Sequence, residues 1–239
     1  RTFLVDPLGL GVGARAADED VVEGFIGARF SRSNHLLPTI IEELWRWRDG
    51  AKAHGDQAQS TAIKIIMNSF YGVLGSPGCR FFDPKLASSI TLRGHQIIQQ
   101  TRQLIEAQGH RVIYGDTDSV FVAVTTGDGV TTPREHGLAL QSLLNDWWRE
   151  QLALEHGLDS LLELEFETHF VHFLMPTVRG SDKGSKKRYA GVVERDGRRE
   201  LVFKGLENVR TDWTALARRF QRELYRRVFA GEAFTDWIR

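Results

Sequence analysis

Val112 to Phe121 reads VIYGDTDSVF. Runs of β-branched and aromatic residues flank a Gly-Asp-Thr-Asp-Ser turn, the pattern of a tight β-hairpin with strands over Arg111–Tyr114 and Ser119–Val124. A turn this short requires antiparallel pairing. Two further runs, Arg188–Glu194 and Glu200–Lys204, are joined by RDGR and repeat the hairpin signal. Leu161–Thr177 is rich in the same residue types and reads as strand. Between these pieces lie segments of helical period. Leu86–Gln108 carries Ile90, Ile97, Ile98, Leu104 and Ile105, and Gly109 closes it. Arg134–Glu155 carries Leu140, Leu143, Leu144, Trp147 and Trp148. The pattern predicts an α+β fold with a mostly antiparallel sheet.

The remaining segments add helices at both ends. From Pro38 the stripe Ile40, Ile41, Leu44 and Trp47 predicts a helix stopping at Gly55. Thr61–Tyr71 reads as a second helix ended by Gly72, and the short connection predicts an antiparallel helical hairpin. Thr211–Phe229 reads as a last helix. Residues 1–37 are Gly-rich and read as irregular; GLGVG (Gly9–Gly13) lacks the spacing of a dinucleotide loop. No apolar run approaches the length of a bilayer span, and the N-terminus has no basic-then-apolar pattern, so an intracellular protein is expected. The single Cys79 forms no internal disulfide and has no evident base beside it.

Three stretches carry chemistry. Asp116 and Asp118 are one residue apart at the hairpin tip, and side chains at i and i+2 of a strand point the same way. Converging carboxylates repel unless a cation holds them, and hard divalent ions complete such sites with water and phosphate oxygens. An ordinary polar turn uses the same residue types. The second stretch, KIIMNSFYG, sets Lys64, Asn68 and Tyr71 at i, i+4 and i+7 on one helix face. Ile63, Ile66, Met67 and Phe70 are expected on the core side. An ammonium, an amide and a phenol ring suit a nucleotide; a solvated charged face is the plainer alternative. Arg48 and Lys52, at i and i+4 of the preceding helix, are expected to extend that cationic face. The third stretch, GSKKRYAG, places Lys186, Lys187 and Arg188 before Tyr189. Consecutive cations suit a phosphate backbone, and equally suit a solubilising strand edge. The formal net charge is zero, so any such surface is local; Arg179 and Lys183 lie nearby, and further arginines crowd the C-terminal helix. His169 and His172 have no Cys or His partners at zinc spacing.

Taken in order, these motifs resemble the family B DNA polymerases over nearly the whole chain. YGDTDS is similar to the family's motif C, KIIMNSFYG to its motif B, and KKRY to a further signature. FKGLENVRTDW is similar to the segment passing from palm to thumb. CRFFDPKLASSITLRGHQII and RTFLVDPLGL resemble the bacterial polymerase II branch. The resemblance implies an antiparallel-sheet palm, a helical-hairpin fingers insertion and the start of a helical thumb. Its boundaries fall at residues 1–37 for a palm loop, 38–75 for fingers, 76–205 for palm and 206–239 for thumb. It implies that Asp118, supported by Asp116, binds two Mg²⁺ ions, with Mn²⁺ able to substitute. Lys64, Asn68, Arg48 and Lys52 would hold the incoming dNTP, and Tyr71 would line the nascent base pair. Lys186, Lys187, Arg188 and Tyr189 would hold primer–template DNA, and Glu165 is an accessory acid near the metals.

The implied activity is templated transfer of a nucleotide from dNTP to a primer 3′-hydroxyl, in replication restart or DNA repair. The implied location is the cytoplasm at the bacterial nucleoid, with no membrane, and with a sliding clamp reached through other regions. The chain begins RTFLVDP and ends FTDWIR, and both ends read as cut from a longer protein. The family's motif A, which supplies another metal-binding Asp and the residue excluding ribonucleotides, is expected immediately upstream. Asp6 lies too far along to replace it and reads as a turn residue. On that expectation the 239 residues alone polymerise poorly. The alternative is a fragment that binds DNA without catalysis. A two-metal nuclease fits less well, because it has no triphosphate for the Lys64–Asn68–Tyr71 face to hold.

Overall fold

The computed structural model describes residues 21–32, 37–80, 82–124, 132–177, 180, 184–195 and 197–239. The GLGVG segment, Asp6, Arg179, Lys183 and the loop 125–131 lie outside them. The chain divides into two compact units. The first holds the described residues up to Ala123 together with Ser142–Leu164, and the second holds the described residues of 124–141 and 165–239.

In the first unit, β1 (Val21–Glu23) pairs antiparallel with β2 (Arg29–Ser31), so the segment expected to be irregular contains a hairpin. Burial of Val22, Ala28 and Phe30 explains it: these side chains join Leu37, Leu74, Leu86 and Ile90 in one apolar cluster. Ser89 ties down the turn, accepting from the Phe25 amide and donating to the Phe25 carbonyl. Helix α1 runs Leu37–Ala53 and buries Leu37, Ile41, Leu44 and Ala51. Arg48 falls on this same 41–44–48–51 stripe, whereas Trp47, expected in the apolar stripe, is 60% exposed. Gly55, at φ +72°, ends the helix, and the Asp56 amide reaches back to the Ala51 carbonyl. Asp56 also caps α2 (Gln57–Leu74), its carboxylate accepting from the Gln59 amide at 2.9 Å. Ile41, Leu44 and Ile63 close the seam between the two helices, giving the expected hairpin.

Helix α2 passes through Gly72 and stops at Gly75. A mid-helix glycine costs about 1 kcal/mol. Burial of Leu74 against the first cluster opposes that cost and holds the last turn in place. Helix α3 (Pro84–Ala107) starts two residues before the expected Leu86, because Asp83 caps it and Pro84 takes its first position. It buries Leu86, Ser89, Ile90, Thr101 and Ile105. Strands β3 (Arg111–Asp116) and β4 (Ser119–Ala123) follow as an antiparallel hairpin against α3.

Helix α4 runs Pro133–His156. Thr132 and Glu135 form a reciprocal capping box at its start, and this bonding holds the Glu135 carboxyl below the usual range. Trp148 in its second half donates its indole N–H to the buried Thr101 hydroxyl at 3.1 Å.

The expected strand over Leu161–Thr177 is corrected. Only β5 (Phe170–Leu174) forms a ladder. Leu161–Phe170 alternates exposed and half-buried residues as a strand would, but helix side chains occupy its backbone groups. Asn145 exchanges two bonds with the Leu164 backbone, and Gln141 accepts from the Phe166 amide. In the second unit β5, β6 (Tyr189–Arg195) and β7 (Arg198–Lys204) form an antiparallel sheet in that order. After a 3₁₀ turn at Glu207–Val209, helix α5 (Ala215–Ala230) lies over the sheet. Phe203 meets Tyr225 edge-on at 5.6 Å, and His172 stacks on Phe229. Helix α5 begins four residues later than the sequence suggests because Thr214 caps it, its hydroxyl accepting from Ala217. A short helix, α6 (Thr235–Ile238), returns Trp237 onto Phe220 of α5. The described residues therefore make an α+β chain of six α-helices and three small antiparallel sheets.

Candidate functional site

The β3–β4 tip differs from its sequence reading. Asp116 is the last residue of β3, paired with Ser119, so only Thr117 and Asp118 form the turn. Asp116 is half-buried and Asp118 is exposed. The turn closes because Thr117 takes φ +49°, a conformation that β-branched residues rarely adopt. Positive φ at the first of two turn residues matches the twist of the flanking strands. Thr117 donates its hydroxyl to the Asp116 carboxylate at 3.0 Å, and Ser119 donates to the Asp116 carbonyl at 3.2 Å. Behind the tip, Tyr114 and Phe121 pair across the strands at 5.4 Å, and a Cβ built on Gly115 would lie 3.7 Å from Ile98 Cγ2 on α3. No group of three or more metal-ligating side chains occurs among the described residues. A two-carboxylate donor set fits a hard cation that takes its remaining oxygens from water and phosphate, and does not make a closed cage.

The first unit also carries α2, where Lys64, Asn68 and Tyr71 are all exposed on one face. Ile63 is buried and Met67 and Phe70 are half-buried, but Ile66 is 50% exposed, against expectation. The seam with α1 follows the 60–63–67–70 stripe, and Ile66 falls beside it. The Tyr71 hydroxyl meets the Thr91 hydroxyl on α3 at 2.7 Å. Arg48 is half-buried in the seam, its Nε buried with no hydrogen-bond partner. Lys52 is exposed and pairs with Asp49 at 3.5 Å. A pair this exposed contributes little and is easily exchanged for another anion.

In the second unit Lys186 and Lys187 are exposed in a turn, and β6 begins only at Tyr189. Arg188 is held by Glu207, which also accepts from Gln221 of α5 at 2.7 Å. The Asn208 amide donates to Gln221 in turn. Arg188 thus braces the sheet to α5, a role that no spacing in the sequence reveals. Burial raises the Tyr225 hydroxyl above its ordinary value, with Arg188 opposing. Tyr189 packs among Phe170 and Phe173. Cross-strand pairs Arg195–Glu200 and Arg199–Glu194 neutralise part of the basic run. Glu165 is exposed and belongs to this unit.

The model of DNA polymerase family B matches residues 35–237. The chain belongs to the family B DNA polymerases. It is 55% identical to the DNA polymerase II of Escherichia coli K12 over 240 residues, covering 100% of this chain and 30% of that protein. It is 31% identical to a DNA polymerase of Thermococcus gorgonarius over 194 residues, 78% of this chain and 22% of that one. It is 29% identical to the DNA polymerase alpha catalytic subunit of Oryza sativa over 222 residues, 87% and 13% respectively. The chain thus spans less than a third of each of these relatives. The kinship supports the bacterial polymerase II resemblance drawn from the quoted phrases. Sequence reading missed Thr117, Glu207, Gln221 and Thr91. The first conflicts with its residue type, and the others act through partners 14 to 20 positions away.

Proposed function

We propose that this chain is the fingers and palm, with the start of the thumb, of a DNA-directed DNA polymerase that elongates a primer with dNTPs. It divides at residues 37, 75 and 205 into a palm segment, a fingers hairpin, palm again, and thumb. The observation that carries the reading is one compact unit of a family B chain holding both the Asp116–Asp118 tip and the exposed Lys64–Asn68–Tyr71 face.

Asp116 and Asp118 are the carboxylates that would hold divalent metal, Mg²⁺ by donor hardness, as two ions with phosphate and water completing them. When bound, such ions orient and neutralise the transferring phosphate. The chain's own residues bind and align. Lys64, Arg48 and Lys52 supply positive charge for the triphosphate, Asn68 an amide, and Tyr71 a wall beside the base. Positioning and electrostatics carry most of such a transfer. Lys186 and Lys187 are exposed cations for the primer–template backbone, with Arg188 and Tyr189 shaping the turn that presents them. Glu165 serves as an accessory acid. A part in replication restart or repair, a sliding-clamp partner and a nucleoid location complete the proposal. No helix among the described residues is long and apolar enough to cross a membrane.

The test is single-nucleotide incorporation by the full-length protein on four primer–templates differing in the next template base, each with the four dNTPs and Mg²⁺ or Mn²⁺. Incorporation that follows the template supports a polymerase. Salt-sensitive DNA binding with no incorporation supports a binding module instead, and loss of nucleotides from the strand supports a nuclease.

A further inference from the structure

Tyr71 is exposed to 44%, so packing alone does not fix its ring. Its hydroxyl reaches from the helical hairpin to α3, where it meets Thr91 Oγ1 at 2.7 Å. Thr91 Oγ1 also bonds the carbonyl of Ala87, one turn back, at 2.9 Å. A threonine hydroxyl has one proton. With that proton on Ala87, Thr91 accepts from Tyr71, and Tyr71 is the donor. The bond to its own helix also fixes the Thr91 side chain, which is already stiff at χ1. The end of α2 lies beside the first turn of α3 here: a Cβ built on Gly75 would meet Ala87 Cβ at an ordinary contact distance of 3.6 Å. A tyrosine at the end of α2 is therefore held by a side chain that cannot turn away without losing a second bond.

We propose that Thr91 is a positioning residue for nucleotide selection, holding the Tyr71 ring as a fixed wall beside the nascent base pair. The proposal rests on the reading of Tyr71 given above. A wall that swings tolerates a misshapen pair, whereas a fixed one rejects it, because discrimination depends on the difference between correct and incorrect transition states. Thr91 touches neither nucleotide nor metal and acts only through Tyr71.

The test is steady-state insertion of correct and mismatched dNTPs by the full-length protein and its Thr91→Val, Thr91→Ser, Tyr71→Phe, Tyr71→Ala and Tyr71→Phe/Thr91→Val variants. Thr91→Val keeps the shape and removes the acceptor. It is expected to raise the dNTP KM and the misinsertion ratio about five-fold, the size of one neutral hydrogen bond, with a smaller change in kcat. Thr91→Ser is expected to restore selectivity, and the double variant to be no worse than either single one. Thr91→Val with unchanged selectivity overturns the proposal, even if it lowers the melting temperature. So do additive effects in the double variant. If Tyr71→Ala leaves selectivity intact, the reading of Tyr71 fails and the proposal with it. If only Tyr71→Ala matters, the reading stands and the role of Thr91 is refuted.

Discussion

Gly205 adopts φ +61°, and a Cβ there would lie 2.1 Å from the Lys187 carbonyl oxygen. The lysine turn is thus seated against the GLEN segment by a residue that cannot carry a side chain. Gly205→Ala combines backbone strain with a clash, and is expected to destabilise the protein by about 2–3 kcal/mol in denaturant titration. His156 makes a different kind of prediction. Its Nε2 is buried with no hydrogen-bond partner, 3.8 Å from a Glu155 carboxylate oxygen; burial, then the positive charge of Arg93, lower its pKa below 6.5, with Arg32 adding to this and Glu155 opposing. The folded state favours the neutral ring, so the unfolded chain binds more protons between the lowered pKa and 6.5. This contribution is complete above about pH 6.5 and is lost as pH falls through that window. His156→Gln is expected to flatten stability against pH there, and an unchanged slope would refute the assignment. Neither residue advertises itself in the sequence, since both effects arise from atoms distant along the chain.

Asp56 closes the Schellman-type end of α1 through its backbone and caps α2 through its side chain. Asp56→Ala removes only the second contribution, and is expected to cost about 1 kcal/mol, while Asp56→Asn costs less. Local chemistry of this kind made the helices legible. Gly55 and Gly109 marked the ends of α1 and α3, whereas the caps that start α3 and α4, Asp83 and the Thr132–Glu135 box, went unread. Strand limits were less legible, because they depend on where hydrogen-bond partners lie. Leu161–His169 has a strand's alternation, yet Asn145 and Gln141 replace a neighbouring strand for part of it. The β3 strand runs on to Asp116 because Thr117 accepts an unfavourable φ, which no propensity anticipates. Helix α2 ignores Gly72 because Leu74 finds a core supplied by β2 and α3.

Across the whole molecule, the candidate site was legible as a set of motifs and illegible as a network. Lys64, Asn68 and Tyr71 share one exposed face of α2, as their spacing suggested, and the same unit holds Asp116, half-buried, and Asp118, exposed. The expected cationic group reads differently in three dimensions. Arg188 is occupied by Glu207, and Arg48 is half-buried in a helix seam. On the proposed reading catalysis belongs to the hairpin tip and binding to surfaces elsewhere, and these separate on mutation. The most direct measurement is single-nucleotide primer extension beside primer–template affinity, for the full-length protein and its Asp118→Ala variant at saturating Mg²⁺. Extension is expected to fall at least ~10²-fold, as when one preorganised electrostatic group is removed, with DNA affinity nearly unchanged. An Asp118→Ala protein that extends the primer at the parent rate would contradict the account.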